Sequence, residues 1–305
     1  MVLLNNNFVF GGAFRLKSSN PGAVLSFTPI AGPSPIGGPI PGPALEKLYG
    51  HYNRFEHIHP DPLEFVYHYD KKLDRELSAF IASALAYGRV RQILRSVRSV
   101  LDIMGPSPSS FLLENRPADI REAFQFFKHR FTTGEILSNL LVALRELTLE
   151  YGSLEFCFLA GFSEHDPNIL PALTGLVRKL EQACGRTIPT FLPSPEGGSA
   201  CKRLNLFLRW MVRSDNVDPG IWQSIPASHL IVPLDTHMHR IASAMGLTSR
   251  KQADMRCAIE ITDAFSAIRP DDPVRYDFAL TRLGIKPRTT PTKLFSSLLS
   301  IGGQR

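Results

Sequence analysis

The chain has 305 residues, 44% of them hydrophobic and 20% charged, with a formal net charge of +6. This is ordinary globular composition, long enough for one large domain or two small ones with a sizeable core. No run approaches about 18 consecutive apolar residues, which excludes a membrane-spanning helix.

The positive charge sits in the tails. Arg15 and Lys17 are the only charged residues of 1–43, and Lys286, Arg288, Lys293 and Arg305 those of 286–305. These six cations account for the whole excess, so 44–285 is formally neutral and any nucleic-acid surface must be a local patch. The opening MVLLNNNFVFGG lacks a basic leader and its apolar residues are broken by asparagines, so it makes a poor signal peptide. The following PIAGPSPIGGPIPGP cannot sustain a helix or pack a core, and 1–43 is expected to be a disordered extension. Cys157, Cys184, Cys201 and Cys257 lie far apart with no C-x-x-C pair. They read as free core thiols in a reducing, cytoplasmic compartment, and offer no tight run for an iron–sulfur cluster. No cofactor is expected.

From Leu45 the hydrophobic period is helical almost throughout. Leu77, Phe80, Ile81, Ala84 and Leu85 follow the i, i+3, i+4, i+7 pattern within a helix expected over 74–86. Tyr87-Gly88-Arg89-Val90-Arg91-Gln92 breaks it, and Arg91, Arg95 and Arg98 then share one helical face, a track suited to phosphates. Further helical sets are Ile136 to Leu144, Ile169 to Leu180, Leu204 to Met211 and Met255 to Phe265, separated by Gly/Pro/Asp breakers. No alternating strand pattern and no fixed-period repeat is evident. The expectation is a compact, monomeric, all-α domain over 44–285 with a basic tail at 286–305.

The informative stretch is 191–246. A Pro/Gly-rich hairpin, Leu192-Pro193-Ser194-Pro195-Glu196-Gly197-Gly198-Ser199, precedes a helix that Ser199 can cap and that runs to about Arg213. Leu204, Phe207, Leu208 and Met211 form its core face, while Lys202, Asn205, Arg209 and Arg213 line the opposite side. Pro233-Leu234-Asp235-Thr236-His237 then opens a second helix ending at Gly246.

A hairpin, a helix with lysine near its start and a later helix opened by L-D-T-H together resemble the helix-hairpin-helix DNA glycosylases. In their endonuclease III-like members an aspartate heads a V-D-T-H segment and a lysine follows an L-P-x-x-G hairpin. The resemblance extends in helix order over about 60–285 and is sharp over 191–245. Here the hairpin is longer, and the 33 residues from Lys202 to Asp235 match the archaeal 8-oxoguanine glycosylase type better than endonuclease III. The whole chain resembles still more closely an uncharacterised bacterial family, the domain of unknown function DUF2400.

The glycosylase resemblance implies a protein acting on double-stranded DNA with a damaged base, with Lys202 as nucleophile and Asp235 as its partner. An amine displacing a base at C1′ must be unprotonated, and a helix N-terminus favours the neutral form. A carboxylate nearby stabilises an oxocarbenium-like sugar. The same resemblance implies DNA contacts from Gly197, Gly198, Ser199 and Arg203, from Tyr87, Arg89 and Gln92, and from His237, with Trp210 or Trp222 stacking on an extruded base. Each residue also has a plain structural reading: Asp235 as a helix cap, Lys202-Arg203 as a solvated charge pair, the tryptophans as core. Two other functions stay open, a non-catalytic DNA-binding protein of the same fold and a metal-dependent hydrolase using His237, His239 and Asp235. In the second, only Asp235 and His239 share a helical face.

Overall fold

Short polar side chains decide where several helices begin. The structure is a computed structural model that describes residues 42–185 and 191–284, all within one compact unit. In chain order these form α1 (Gly42–Tyr52), 3₁₀ turns at Phe55–His57 and Pro62–His68, α2 (Lys72–Ala84), α3 (Val90–Met104), α4 (Pro108–Glu114) and α5 (Pro117–Ala123). A small hairpin of β1 (Lys128–His129) and β2 (Thr132–Thr133) leads into α6 (Gly134–Tyr151), α7 (Leu154–Leu159) and α8 (Leu170–Cys184). A 3₁₀ turn at Pro195–Gly197 precedes α9 (Lys202–Val212), and another at Ala227–His229 precedes α10 (Thr236–Ala244), α11 (Met255–Ser266) and α12 (Asp277–Gly284). Ser107, Thr133, Ser153, Asp235 and Asp254 cap α4, α6, α7, α10 and α11, each accepting an otherwise orphaned first-turn amide. Gly152 and Gly185, both left-handed, end α6 and α8.

The expected all-α fold is what forms. Its first helix begins at Gly42, two residues inside the segment expected to be an extension; the rest of that extension and the tail 286–305 lie outside the described residues. No described helix is long and apolar enough to cross a membrane.

α2 is the central element. Leu77, Ala79, Phe80, Ile81 and Ala82 are fully buried, and the helix packs on α9, α4 and the 62–68 turn. Phe80 meets Phe207 edge-on at 5.0 Å, and Phe207 meets Trp222 at 5.3 Å. Truncating any of these rings to alanine costs about 3–5 kcal/mol through lost burial and a residual cavity.

This packing corrects two expectations. Trp210 and Trp222 are core residues, essentially inaccessible, so neither is free to stack on an extruded base. The indole of Trp222 donates instead to Glu76 at 2.7 Å. Beyond Lys202, the polar side of α9 is likewise buried, at Asn205, Arg209 and Arg213. Arg209 pairs with Asp218 and Asp277, and Arg213 with Asp215, Asp218 and Asp272. Burial opposes both guanidiniums, but the carboxylates outweigh it and hold them firmly protonated. Burial pushes the Asp218 carboxyl up to about 6 against the pull of the two arginines. The network ties α9 to the 215–218 turn and to the start of α12. Removing one member leaves a buried charge uncompensated, a loss of about 3–5 kcal/mol.

Candidate active site

α9 starts without a conventional cap. Cys201 takes a left-handed backbone (φ 47°), and no side chain accepts the first-turn amides from the cap position. Ser199, expected to be the cap, falls two residues too early; its hydroxyl accepts the amide of Cys201 at 3.3 Å. Lys202 is therefore the first helical residue, on a helix end whose partial positive charge no capping side chain satisfies.

α10 starts the opposite way. Asp235 Oδ1 accepts the amides of His237 and Met238, both at 2.9 Å. That leaves Oδ2 for Lys202, whose Nζ lies 3.9 Å away. The two side chains are 30% and 39% exposed, so the pair is partly desolvated yet open to a ligand. One carboxylate thus serves as cap through one oxygen and as countercharge through the other.

Both side chains line a single half-open cleft of about 620 Å³, together with Tyr87, Gly88, Arg203 and His237. The walls come from α9, α10, the loop after α2, the 60–62 segment and α12. Arg203 is directed inward: it donates to the carbonyl of Ala84 at 2.8 Å and lies over the rings of Tyr87 and Phe191. Burial, partly offset by Tyr87 and Cys201, lowers its affinity for a proton. It is a strut of the wall, not half of a solvated charge pair. His237 Nδ1 accepts from Arg240 at 3.2 Å, at the cleft's edge.

The other sequence candidates lie outside the cleft lining. Arg89 and Gln92 are exposed at the start of α3. Gly197, Gly198 and Ser199 are exposed, and their loop is tied to the start of α11 through the Gly198 carbonyl, which accepts the amide of Met255. A Cβ at Gly197 would meet nothing within 4 Å, so that position stays open to close approach by a ligand. A hydrolase centre at Asp235, His237 and His239 does not assemble. His239 turns to the Arg250 carbonyl at 2.8 Å, and among the described residues no three His, Cys, Asp or Glu side chains group in a metal-binding arrangement.

Sequence reasoning missed Asp61, Asp277 and Arg282, which also line the cleft. Arg282 donates to Asp61 Oδ2 at 2.8 Å. Asp277 is buried, with Oδ2 held by Arg209 and Oδ1 without a protein partner. Burial raises its pKa against the pull of Arg209, and it also feels the charges of Asp235 and Lys202. In sequence Asp61-Pro62 carries only the signal of a helix start, and nothing around Asp277 distinguishes it from any aspartate opening a helix.

Residues 61–286 match a family described as "Protein of unknown function (DUF2400)". No match was found among curated proteins or among solved structures.

Proposed function

We propose that this chain, which belongs to the DUF2400 family, acts on DNA as a base-excising enzyme with Lys202 as nucleophile and Asp235 as its electrostatic partner. The observation that carries this reading is the meeting of those two side chains, at 3.9 Å, in one open cleft, from helices 33 residues apart in the chain. A cap needs only one carboxylate oxygen, and Asp235 keeps the second for the lysine.

In this reading the Lys202 amine, once unprotonated, attacks C1′ of the nucleotide. The C1′–N bond breaks, the base leaves with the bonding pair and takes up a proton, and opening of the sugar ring gives an imine with Nζ. Asp235 stabilises the positive charge that develops on the sugar. Loss of a C2′ proton from the imine then expels the 3′ phosphate, which is the strand-cleaving branch. The resemblance to helix-hairpin-helix glycosylases agrees with these roles.

The test is borohydride reduction in the presence of duplex DNA with an abasic site. Wild type is expected to form a stable protein–DNA adduct and Lys202→Gln to form none while melting normally. Binding by wild type without an adduct on any lesion tried would favour a non-catalytic DNA-binding protein of the same fold.

A further inference from the structure

The hairpin β1–β2 is the feature that the cleft does not absorb. It stands beside the cleft because Tyr87, a cleft residue, holds it: the phenol hydroxyl donates to the His129 carbonyl at 2.8 Å and lies 2.6 Å from Thr132 Oγ1. His129 is buried between Ser96 Oγ and the Tyr87 carbonyl, which fixes the hairpin to α3 as well. Arg130, at φ 52°, forms the turn, and its side chain packs so closely on Gly88 that an added Cβ there would lie 2.9 Å from Arg130 Cδ. Such a left-handed conformation in a non-glycine residue costs about 1 kcal/mol or more and persists because the surroundings hold it.

What this anchoring presents is an aromatic ring in solvent. Phe131 is 77% exposed at the tip, with the Arg130 guanidinium 5.5 Å from its ring centre. Within the two segments that build this face the charge has one sign, with acids only just beyond their ends at Asp102, Glu122 and Glu135. Residues 86–101 and 123–134 contain no acid, and between them supply Arg89, Arg91, Arg95, Arg98, Lys128 and Arg130, all exposed. None of the six is ion-paired to a described carboxylate. An exposed aromatic among unpaired cations suits a partner with π faces and a polyanionic backbone, which is a nucleic acid rather than an apolar protein surface.

We infer that the hairpin tip and the arginine face of α3 form a second nucleic-acid contact beside the cleft, selective for DNA with unpaired bases next to the site. Phosphates lie along Arg91 and Arg95, and an unstacked base rests on Phe131. A fully stacked duplex offers that ring no free base face, whereas a bubble or gap does. The inference rests on the reading of the protein as DNA-acting, and adds to it the kind of DNA preferred.

The experiment is equilibrium binding of the full chain to two fluorescent DNAs, a fully paired duplex and the same sequence with a short unpaired bubble, across a salt series. Wild type is expected to prefer the bubble. Phe131→Ala should lose roughly 5- to 150-fold on the bubble, the range typical of one base–aromatic stack, and little on the duplex. Phe156→Ala, another exposed phenylalanine (60%) on α7, should leave both affinities unchanged. Arg91→Gln combined with Arg95→Gln should weaken both DNAs alike and reduce the salt slope by about 2. Equal binding of both DNAs by wild type, or indifference to Phe131→Ala, overturns this inference alone. Absence of any DNA binding overturns it together with the proposed function. A bubble preference that depends on Phe131, with no adduct at Lys202, upholds this surface and removes the catalytic role.

Discussion

Asp235→Asn separates the two jobs of one carboxylate. Asparagine retains the Oδ1 that accepts the amides of His237 and Met238, and it caps helices about as well as aspartate. What it loses is the charge 3.9 Å from Lys202 Nζ. Two unit charges at that distance interact by about 1 kcal/mol in water and about 4 kcal/mol at an effective dielectric of 20. With the side chains 30% and 39% exposed, the lower figure governs, and the pair contributes under about 1 kcal/mol to folding. Melting should therefore fall by no more than roughly 2–4 °C. Asp235→Ala, which also removes the cap, should cost about 1 kcal/mol more. Catalysis should respond quite differently, because loss of a preorganised charge at the developing cation slows reaction by roughly 100- to 1,000-fold. Thermal melts of the three proteins, paired with single-turnover trapping rates on abasic duplex, measure both effects. An asparagine variant that melts like wild type and also reacts at the wild-type rate would show Asp235 to be a cap and nothing more.

Other outcomes follow from buried groups. Burial pushes Glu76 up to about 7, from an ordinary value near 4.5, despite donors from Leu154, Glu155 and Trp222. A carboxyl raised in the fold binds its proton earlier than in the unfolded chain, so it adds stability below about pH 4.5 and loses it as pH rises to about 7. The contribution is about 3 kcal/mol at most, and Glu76→Gln should flatten that slope in denaturant titrations at pH 5 and 8. Trp222→Ala removes a buried ring and the donor to Glu76, and chemical denaturation should show a loss of about 3–5 kcal/mol; a loss below 1 kcal/mol would mean that the ring is not core. Gly197→Ala meets no atom within 4 Å and should fold as wild type. If the loop approaches a phosphate closely, the same change should still weaken DNA binding, and unchanged affinity would remove that loop from the interface.

The helices were legible because their apolar spacing repeats over several turns, as in α6 and α8. The hairpin was not: strands of two residues, Lys128–His129 and Thr132–Thr133, are too short to alternate. The spacing of Asn205, Arg209 and Arg213 marked the polar side of α9 correctly but could not say what covers it. The aspartates that bury the two arginines lie up to 68 residues away in sequence, a distance that periodicity does not reach. Ser199 had the right chemistry for a cap, yet the left-handed turn at Cys201 moved the helix start two residues downstream. The convergence of Lys202 and Asp235 came from motif resemblance, not from pattern physics, and the cleft wall from Asp61, Asp277 and Arg282 required the fold.

The central claim is that the Lys202 amine forms a covalent bond to the sugar of a damaged or abasic nucleotide. The direct measurement is the position of that bond: reduce the wild-type complex with borohydride, digest protein and DNA, and locate the modified peptide by mass spectrometry. The account predicts a reduced sugar adduct on Lys202, within the peptide opening α9. An adduct on any other amine, or none on any abasic or damaged duplex that the protein demonstrably binds, would contradict it.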